Sequence, residues 1–212
     1  MNLKKLDARY RTGGGLDISL PGCTYRLRGV KSPSKDELKG ISVLKQVHGA
    51  DIITSPEGGE SGDGMIMLRG GGAPGILTAD CLPVFLLTRH FAAAFHAGWK
   101  GTASGIAESM IKLLPEEPEY VLLGNCICGD CYEVGEDVRE KVIGATPPED
   151  HPRGRIDLKK AVVRRMISAG MPSRCPVWNL DECTMCNPDL FHSHRRSGTE
   201  KRNFQWLETE AS

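Results

Sequence analysis

Short apolar runs separated by clusters of Gly, Pro, Ser and Asp dominate the first 75 residues: ISVLKQV at 41–47, DIITS at 51–55 and GMIMLRG at 64–70. Runs of this length between turn formers predict strands, so this half is sheet-forming. GILTADCLPVFLLT and FAAAFHA follow as two further buried runs, and beyond His96 the period changes. The chain turns through GWKGT into a segment where Ile106, Met110, Ile111, Leu113 and Leu114 share one face at helical spacing, with Pro115 and Pro118 just past its end. EYVLLG predicts another strand. Val134, Val138 and Val142, four apart, predict a helix over about 133–144. Leu158, Val162, Val163, Met166 and Ile167 predict a third helix, with Asp157 as N-cap and Gly170 as stop. CPVWNL and KRNFQWL are late strands. Clustered strands followed by strands interleaved with helices predict an α/β fold, layered α/β/α around a mixed sheet, with residues 1–212 as a single domain and no internal repeat.

Charge narrows the partners. Lys plus Arg and Asp plus Glu both number 27, which leaves no basic footprint for nucleic acid and no polybasic segment for a membrane surface. A small-molecule partner fits better, and a monomer is the default oligomeric expectation. The N-terminal MNLKKLDARYRTGGG is positive but has no apolar stretch behind it, so a secretory signal is not expected and the cytoplasm is the expected compartment. CLPVFLLT and FAAAFHAGW fall well short of the roughly 20 residues a spanning helix needs. In a reducing compartment, eight cysteines among 212 residues point to metal or chemistry rather than to bridges.

The candidate chemistry centres on His48, Cys81 and His96, each at the end of an apolar run (KQVHGA, TADCLP, FHAGWKG) where loops on a sheet carry function. Two imidazoles and a thiolate suit a zinc ion and leave a fourth position open, where a bound water ionises near neutral pH. The same trio would equally serve a cysteine nucleophile with a histidine base. The plain alternative is a buried thiol and two hydrogen-bonded histidines. Spacing alone does not separate these readings. The GGG at 13–15 and RGGG at 69–72 lack the glycine spacing of a dinucleotide fingerprint and predict loops. Met65, Met67 and Met110 predict core filling.

QVHGADI, GDGMI, LTADCLPV, AAFHAGWKGT, CYEVGEDV and the tail segments ECT and LFHSHRRSG together resemble, in order and over nearly the whole chain, one family. It is variously called YfiH-like, polyphenol oxidoreductase (laccase domain) or multifunctional purine nucleoside phosphorylase. The resemblance implies a fold similar to cytotoxic necrotizing factor deamidase domains and metal ligands at His48, Cys81 and His96. It also implies phosphorolysis of adenosine, inosine, guanosine and methylthioadenosine, and hydrolytic deamination of adenosine. Purine nucleoside and phosphate are then the partners and one zinc ion the cofactor. For deamination at C6 of adenine, Asp80 is a candidate proton carrier, or else a carboxylate that orients a ligand histidine. For phosphate, Lys100, Arg195 and Arg196, with Ser193 beside them, form a candidate cradle, and Trp99 could stack on a base.

Other readings stay open. A copper-dependent polyphenol oxidoreductase is one, since two imidazoles and a thiolate also suit a single copper. Six histidines, with His90, His151, His192 and His194 outside the trio, are too few for a complete multicopper centre. A cysteine hydrolase or amidase using Cys81 with His48 or His96 is another, and a non-catalytic metal-binding protein a third. The chain also departs from the family pattern at GNCICGDCYEVG, which adds Cys126 and Cys128 beside Cys131, and at CTMC, which adds Cys186 after Cys183. These five thiols suffice for a second, structural zinc; the favoured account is single buried or paired cysteines. At the tail, GTEKRNFQW leaves Arg202 as the nearest equivalent of the family's usual arginine.

Overall fold

A computed structural model describes residues 3–6, 8, 10–11, 15–21, 24–143, 151 and 153–209. The first six strands are β1 (Lys4–Lys5), β2 (Tyr10–Arg11), β3 (Gly15–Ser19), β4 (Tyr25–Lys31), β5 (Ile41–Ser42) and β6 (Ile52–Thr54). The central ones are β7 (Gly64–Leu68), β8 (Ala73–Thr78), β9 (Leu82–Leu87) and β10 (Phe91–Ala97), followed by helices α1 (Trp99–Ala103) and α2 (Ile106–Leu113). Then come β11 (Tyr120–Leu123), α3 (Glu136–Ile143), α4 (Leu158–Ser168), β12 (Val177–Asn179), α5 (His194–Ser197) and β13 (Asn203–Thr209). Among the described residues no helix is long and apolar enough to cross a membrane.

Two mixed sheets result. One has the order β1-β12-β11-β9-β10-β7-β6, the other β2-β3-β4-β13-β8-β5. In the first, β9, β10 and β7 pair antiparallel while β11 with β12 and β6 with β7 run parallel. All six residues of β9 are buried, because the strand is covered on both faces. Val84, Leu86, Ala93 and Phe95 face a core shared with Ile106, Met110, Val162 and Met166 of α2 and α4. Phe85, Leu87, Ala92 and Ala94 face the other way, onto Tyr25, Leu27, Ile76 and Leu207 of the second sheet. The α/β layering expected from the pattern is therefore present, but the third layer is a sheet and not a row of helices. The alternation in β4, buried at Tyr25, Leu27 and Gly29, builds that layer.

Boundaries differ where polar residues interrupt apolar runs. GILTADCLPVFLLT divides at Ala79–Cys81 into β8 and β9, which belong to different sheets. ISVLKQV keeps only β5 as strand, followed by a bridge from Lys45 to Ser61. WKGT is itself helical, with Gly98 as its extended N-cap, and is separated from α2 by Ser104 and Gly105, whose φ of +88° suits glycine. At the end of α2, Leu114 turns extended and enters the core, which leaves Leu113 exposed and off the apolar face assigned to it. The helix expected over 133–144 starts later, at Glu136, since Glu133 is bridged to Arg155; residue 144 lies outside the described residues, as do 13 and 14 of the GGG stretch. For α4, Asp157 accepts the Lys160 N–H and Gly170 closes the helix at φ +110°. Met65, Met67 and Met110 are buried in the core.

Candidate metal and active site

The ligating atoms of His48, Cys81 and His96 lie within 4.8 Å of one another, at the point where the chain crosses from one sheet to the other. Each arrives differently. His96 is the penultimate residue of β10 and buried; Cys81 immediately precedes β9 and is half-buried; His48 stands exposed on the loop before β6. The two imidazoles meet edge to face, with ring centroids 4.8 Å apart. Gly98 closes the floor: a Cβ there would stand 2.9 Å from Cys81 Sγ, so only glycine leaves room for the thiol.

The organiser of this arrangement is Asp63, a residue that sequence reasoning did not single out. Its fully buried carboxylate accepts the backbone N–H groups of Val47 (3.1 Å), His48 (3.0 Å) and Gly49 (2.7 Å). It also accepts from His96 Nδ1 at 2.8 Å, which leaves Nε2 to face the trio. One anion thus orients both histidines, one through the ring and one through the backbone. The anchored loop holds His48 at φ +62°, a strained conformation outside glycine. Gln46 completes the anchoring: its amide donates to Leu77 O at 2.8 Å and accepts from Leu77 N–H at 2.9 Å, extending β8 by one side-chain rung.

Electrostatics follow from the packing. Burial would raise the Cys81 thiol, but hydrogen bonds and charge from His48 and His96 outweigh it and lower it to about 6. Burial likewise disfavours a charged His96, yet Asp63 and Cys81 together raise it to about 9. Asp63 is held below the ordinary carboxylate range: burial opposes this, but the His96 and backbone hydrogen bonds prevail. Without a metal, these shifts favour the thiolate of Cys81 and the imidazolium of His96.

Asp80 lies on the cavity lining. It orients no histidine, and its oxygens are engaged by Thr184 Oγ1 (2.6 Å), Ser193 Oγ (3.0 Å) and Arg195 N–H (2.7 Å). At φ +91° it ties the tail to the turn that carries Cys81. Above the trio lies a cavity of about 610 Å³, walled by Leu44, Leu77, Trp99 and Tyr132, with Lys45, His194, Arg195 and Arg202 on its lining. The Arg195 guanidinium lies 5.1 Å over the Tyr132 ring. Trp99 and Arg195 are therefore at the cavity as expected. Lys100 is not on the lining; it is exposed, its Nζ 5.7 Å over the Trp99 ring. Ser193 is fully buried as the N-cap of α5. Arg196 donates to the carbonyls of Thr184, Met185 and Phe191, which removes it from any phosphate cradle. Lys45, Gln46, Tyr132 and His194 were missed; only their places within KQVHGA, CYEVG and FHSHRRSG marked them.

Residues 30–207 match the family described as multi-copper polyphenol oxidoreductase laccase. The chain belongs to this family. Among curated relatives, purine nucleoside phosphorylase YlmD of Geobacillus stearothermophilus is 32% identical over 192 residues, covering 77% of this chain and 70% of that protein. Purine nucleoside phosphorylase YfiH of Escherichia coli is 30% identical over 179 residues, 77% of this chain and 72% of that one. A protein named adenosine deaminase RL5, from an unknown prokaryotic organism, is 27% identical over 214 residues, 92% of this chain and 78% of that one. The crystal structure of Geobacillus stearothermophilus YlmD superposes with a TM-score of 0.81 at 24% identity, covering 96% of this chain and 99% of that one, which places this laccase-family chain in the same fold.

The family's description implies copper, and the donor set can be tested against it. His90 pairs with Glu116, His151 Nδ1 accepts from Asp157 N–H, His192 meets Ser32 and His194 faces Thr199 O. None of these four joins His48 and His96, so the histidines of a multicopper centre are not gathered. Two imidazoles, one thiolate and an open side toward the cavity fit a single ion of borderline softness.

Proposed function

We propose that this chain is a metal-dependent enzyme of purine nucleosides, with a zinc ion held by His48, Cys81 and His96. The observation that carries the reading is the convergence of these three residues beneath a cavity whose lining combines cationic and aromatic side chains. Its volume lies within the range of about 300–1,000 Å³ usual for small-molecule sites. When bound, zinc supplies Lewis acidity and lowers the pKa of water toward neutrality.

The chain's own groups do the binding. Arg195, Arg202 and Lys45 offer positive charge to a phosphate dianion, the arginines through the N–H groups not already given to the carbonyls of Glu133, Thr199 and Lys201. Trp99 and Tyr132 offer faces for a purine. Phosphorolysis then joins a phosphate oxygen to ribose C1′ as the C1′–N9 bond breaks and the base leaves with the electron pair. Deamination adds a water oxygen at adenine C6 and expels ammonia. Asp80 serves as a positioning residue, because its grip on the Arg195 N–H sets where the guanidinium stands. Relatives named for both reactions support this choice of substrate class.

The test is phosphate-dependent release of base from adenosine and inosine, with ammonia measured in parallel, before and after chelation. Activity lost on chelation and restored by zinc is the expected result. Activity that survives complete metal removal would overturn it. That outcome would favour a second reading, a cysteine hydrolase, which the lowered Cys81 pKa and its two imidazole neighbours support.

A further inference from the structure

A second cluster lies outside this cavity. Cys128, Cys131, Cys183 and Cys186 form two C-x-x-C pairs 55 residues apart, and their sulfurs all fall within 4.8 Å of one another. The fifth thiol, Cys126, is excluded: it is buried, donates to Ile127 O and is pushed up to about 12 by burial. From this geometry we infer that Cys128, Cys131, Cys183 and Cys186 bind a structural zinc ion, separate from the His48, Cys81, His96 site.

Three observations carry the inference. A zinc ion with Zn–S bonds of about 2.3 Å sets tetrahedral sulfurs about 3.8 Å apart, a spacing the cluster already brackets. Cys131 Sγ and Cys186 Sγ stand 3.4 Å apart, in contact but unbonded, and all four cysteines are free. Secondly, backbone donors turn toward sulfur: Cys128 N–H lies 3.3 Å from Cys183 Sγ, and the N–H groups of Met185 and Cys186 approach the same atom. Amide donors around a sulfur stabilise its thiolate form, the form that binds metal. Thirdly, hydrophobic burial does not explain the cluster, since burial declines from Cys183 through half-buried Cys128 and Cys131 to an exposed Cys186. Packing alone would not hold an exposed thiol against three others. Four thiolates leave no open coordination position, which makes the site structural.

Its place in the fold gives it a task. The first pair sits on the loop that leads into Tyr132, the second on the segment joined by a backbone bridge from Cys126 to Cys183. That second segment supplies Thr184 to Asp80 and the carbonyls that Arg196 holds. A zinc ion here would staple together the two loops that place Tyr132 and Arg195 beside the cavity.

The experiment is elemental analysis of protein purified without added metal, for the wild type, C128S/C186S and C81S. Two zinc ions in the wild type and one in each variant are expected, with the melting temperature falling by about 10 °C or more in C128S/C186S and little in C81S. Zinc absorption-edge spectroscopy on the wild type covers the case in which C128S/C186S fails to fold. Five sulfur and two nitrogen donors shared by two ions, four from this cluster and three from the trio, are expected. The inference is overturned if C128S/C186S keeps the wild-type zinc content. It is equally overturned if intact mass under denaturing, non-reducing conditions shows a disulfide within the cluster, or if the spectrum holds only one sulfur. Loss of zinc from C81S alone would instead test the nucleoside site, so the two failures are distinguishable.

Discussion

Replacing Asp63 by Asn tests the claim that one carboxylate builds the site. Oδ2 accepts from Val47 and Gly49, and Oδ1 from His48 and His96. An amide nitrogen in either position faces donors instead of accepting from them. Toward the loop it loses two backbone bonds; toward His96 it loses the His48 bond and reverses the ring's proton, which withdraws Nε2 as a ligand. Hydrogen bonds to a charged group are worth about 1.5–3 kcal/mol each, so losing two costs about 3 kcal/mol at the low end. For a chain of this size that lowers the melting temperature by roughly 10 °C. Loss of a residue that orients a ligand reduces metal affinity by about 10–100-fold. The assays are thermal unfolding and zinc competition with a chromophoric chelator, with D80N as the control that should retain zinc affinity. Asp63→Asn protein that melts within about 2 °C of wild type and binds zinc equally would refute the assignment.

Further outcomes follow from the same geometry. Gly98→Ala, at ordinary backbone angles of φ −82° and ψ 174°, should cost about 1–3 kcal/mol of stability, yet cut zinc affinity at least about tenfold by crowding Cys81 Sγ; unaltered zinc titration would count against the crowded floor. In metal-free protein, alkylation of Cys81 should rise through pH about 6, and His96→Ala should move that midpoint upward. The stabilising contribution of Cys81, whose pKa is lowered, is complete above the ordinary thiol value and gone below about 6; that of His96, whose pKa is raised, is complete below the ordinary imidazole value and gone above about 9. Between about 6.5 and 9 the two contributions change in opposite directions and cancel, so metal-free stability from this pair should be nearly level there, and a steep slope across that window would contradict the ion pair. Arg196→Ala should lower stability by about 2–3 kcal/mol through its three abandoned carbonyls, whereas Arg195→Ala should raise the KM for phosphate about tenfold with a smaller change in melting temperature.

What the chain's pattern revealed was local. The limits of α4 were legible because Asp157 and Gly170 act within one turn of the helix they bound. His48, Cys81 and His96 stood out because reactive side chains interrupt apolar runs. Asp63 stayed hidden, since its task exists only when residues 15 and 33 positions away reach it. The third layer was misjudged because β9 is apolar throughout, and burial on two faces looks the same whether a helix or a sheet supplies the cover. Arg195 and Arg196 are neighbours with different fates: Arg195 reaches the cavity and gives one N–H to Glu133 O, while Arg196 is held by three carbonyls, a difference set by α5 and by contacts across the tail.

The short crossing between β8 and β9 has a consequence for how this scaffold could change its substrate. Leu77 and Thr78 on the cavity lining belong to one sheet, while Cys81 leads directly into β9 and His96 lies in β10 of the other. With three residues between the sheets, the width of the opening is inherited from the thickness of the sandwich, about 10 Å, more than from any loop. Larger or smaller substrates would then be admitted by repacking Phe85, Ile76 or Leu27, which lie in the core between the sheets and not on the cavity lining, as a window is resized by moving its frame.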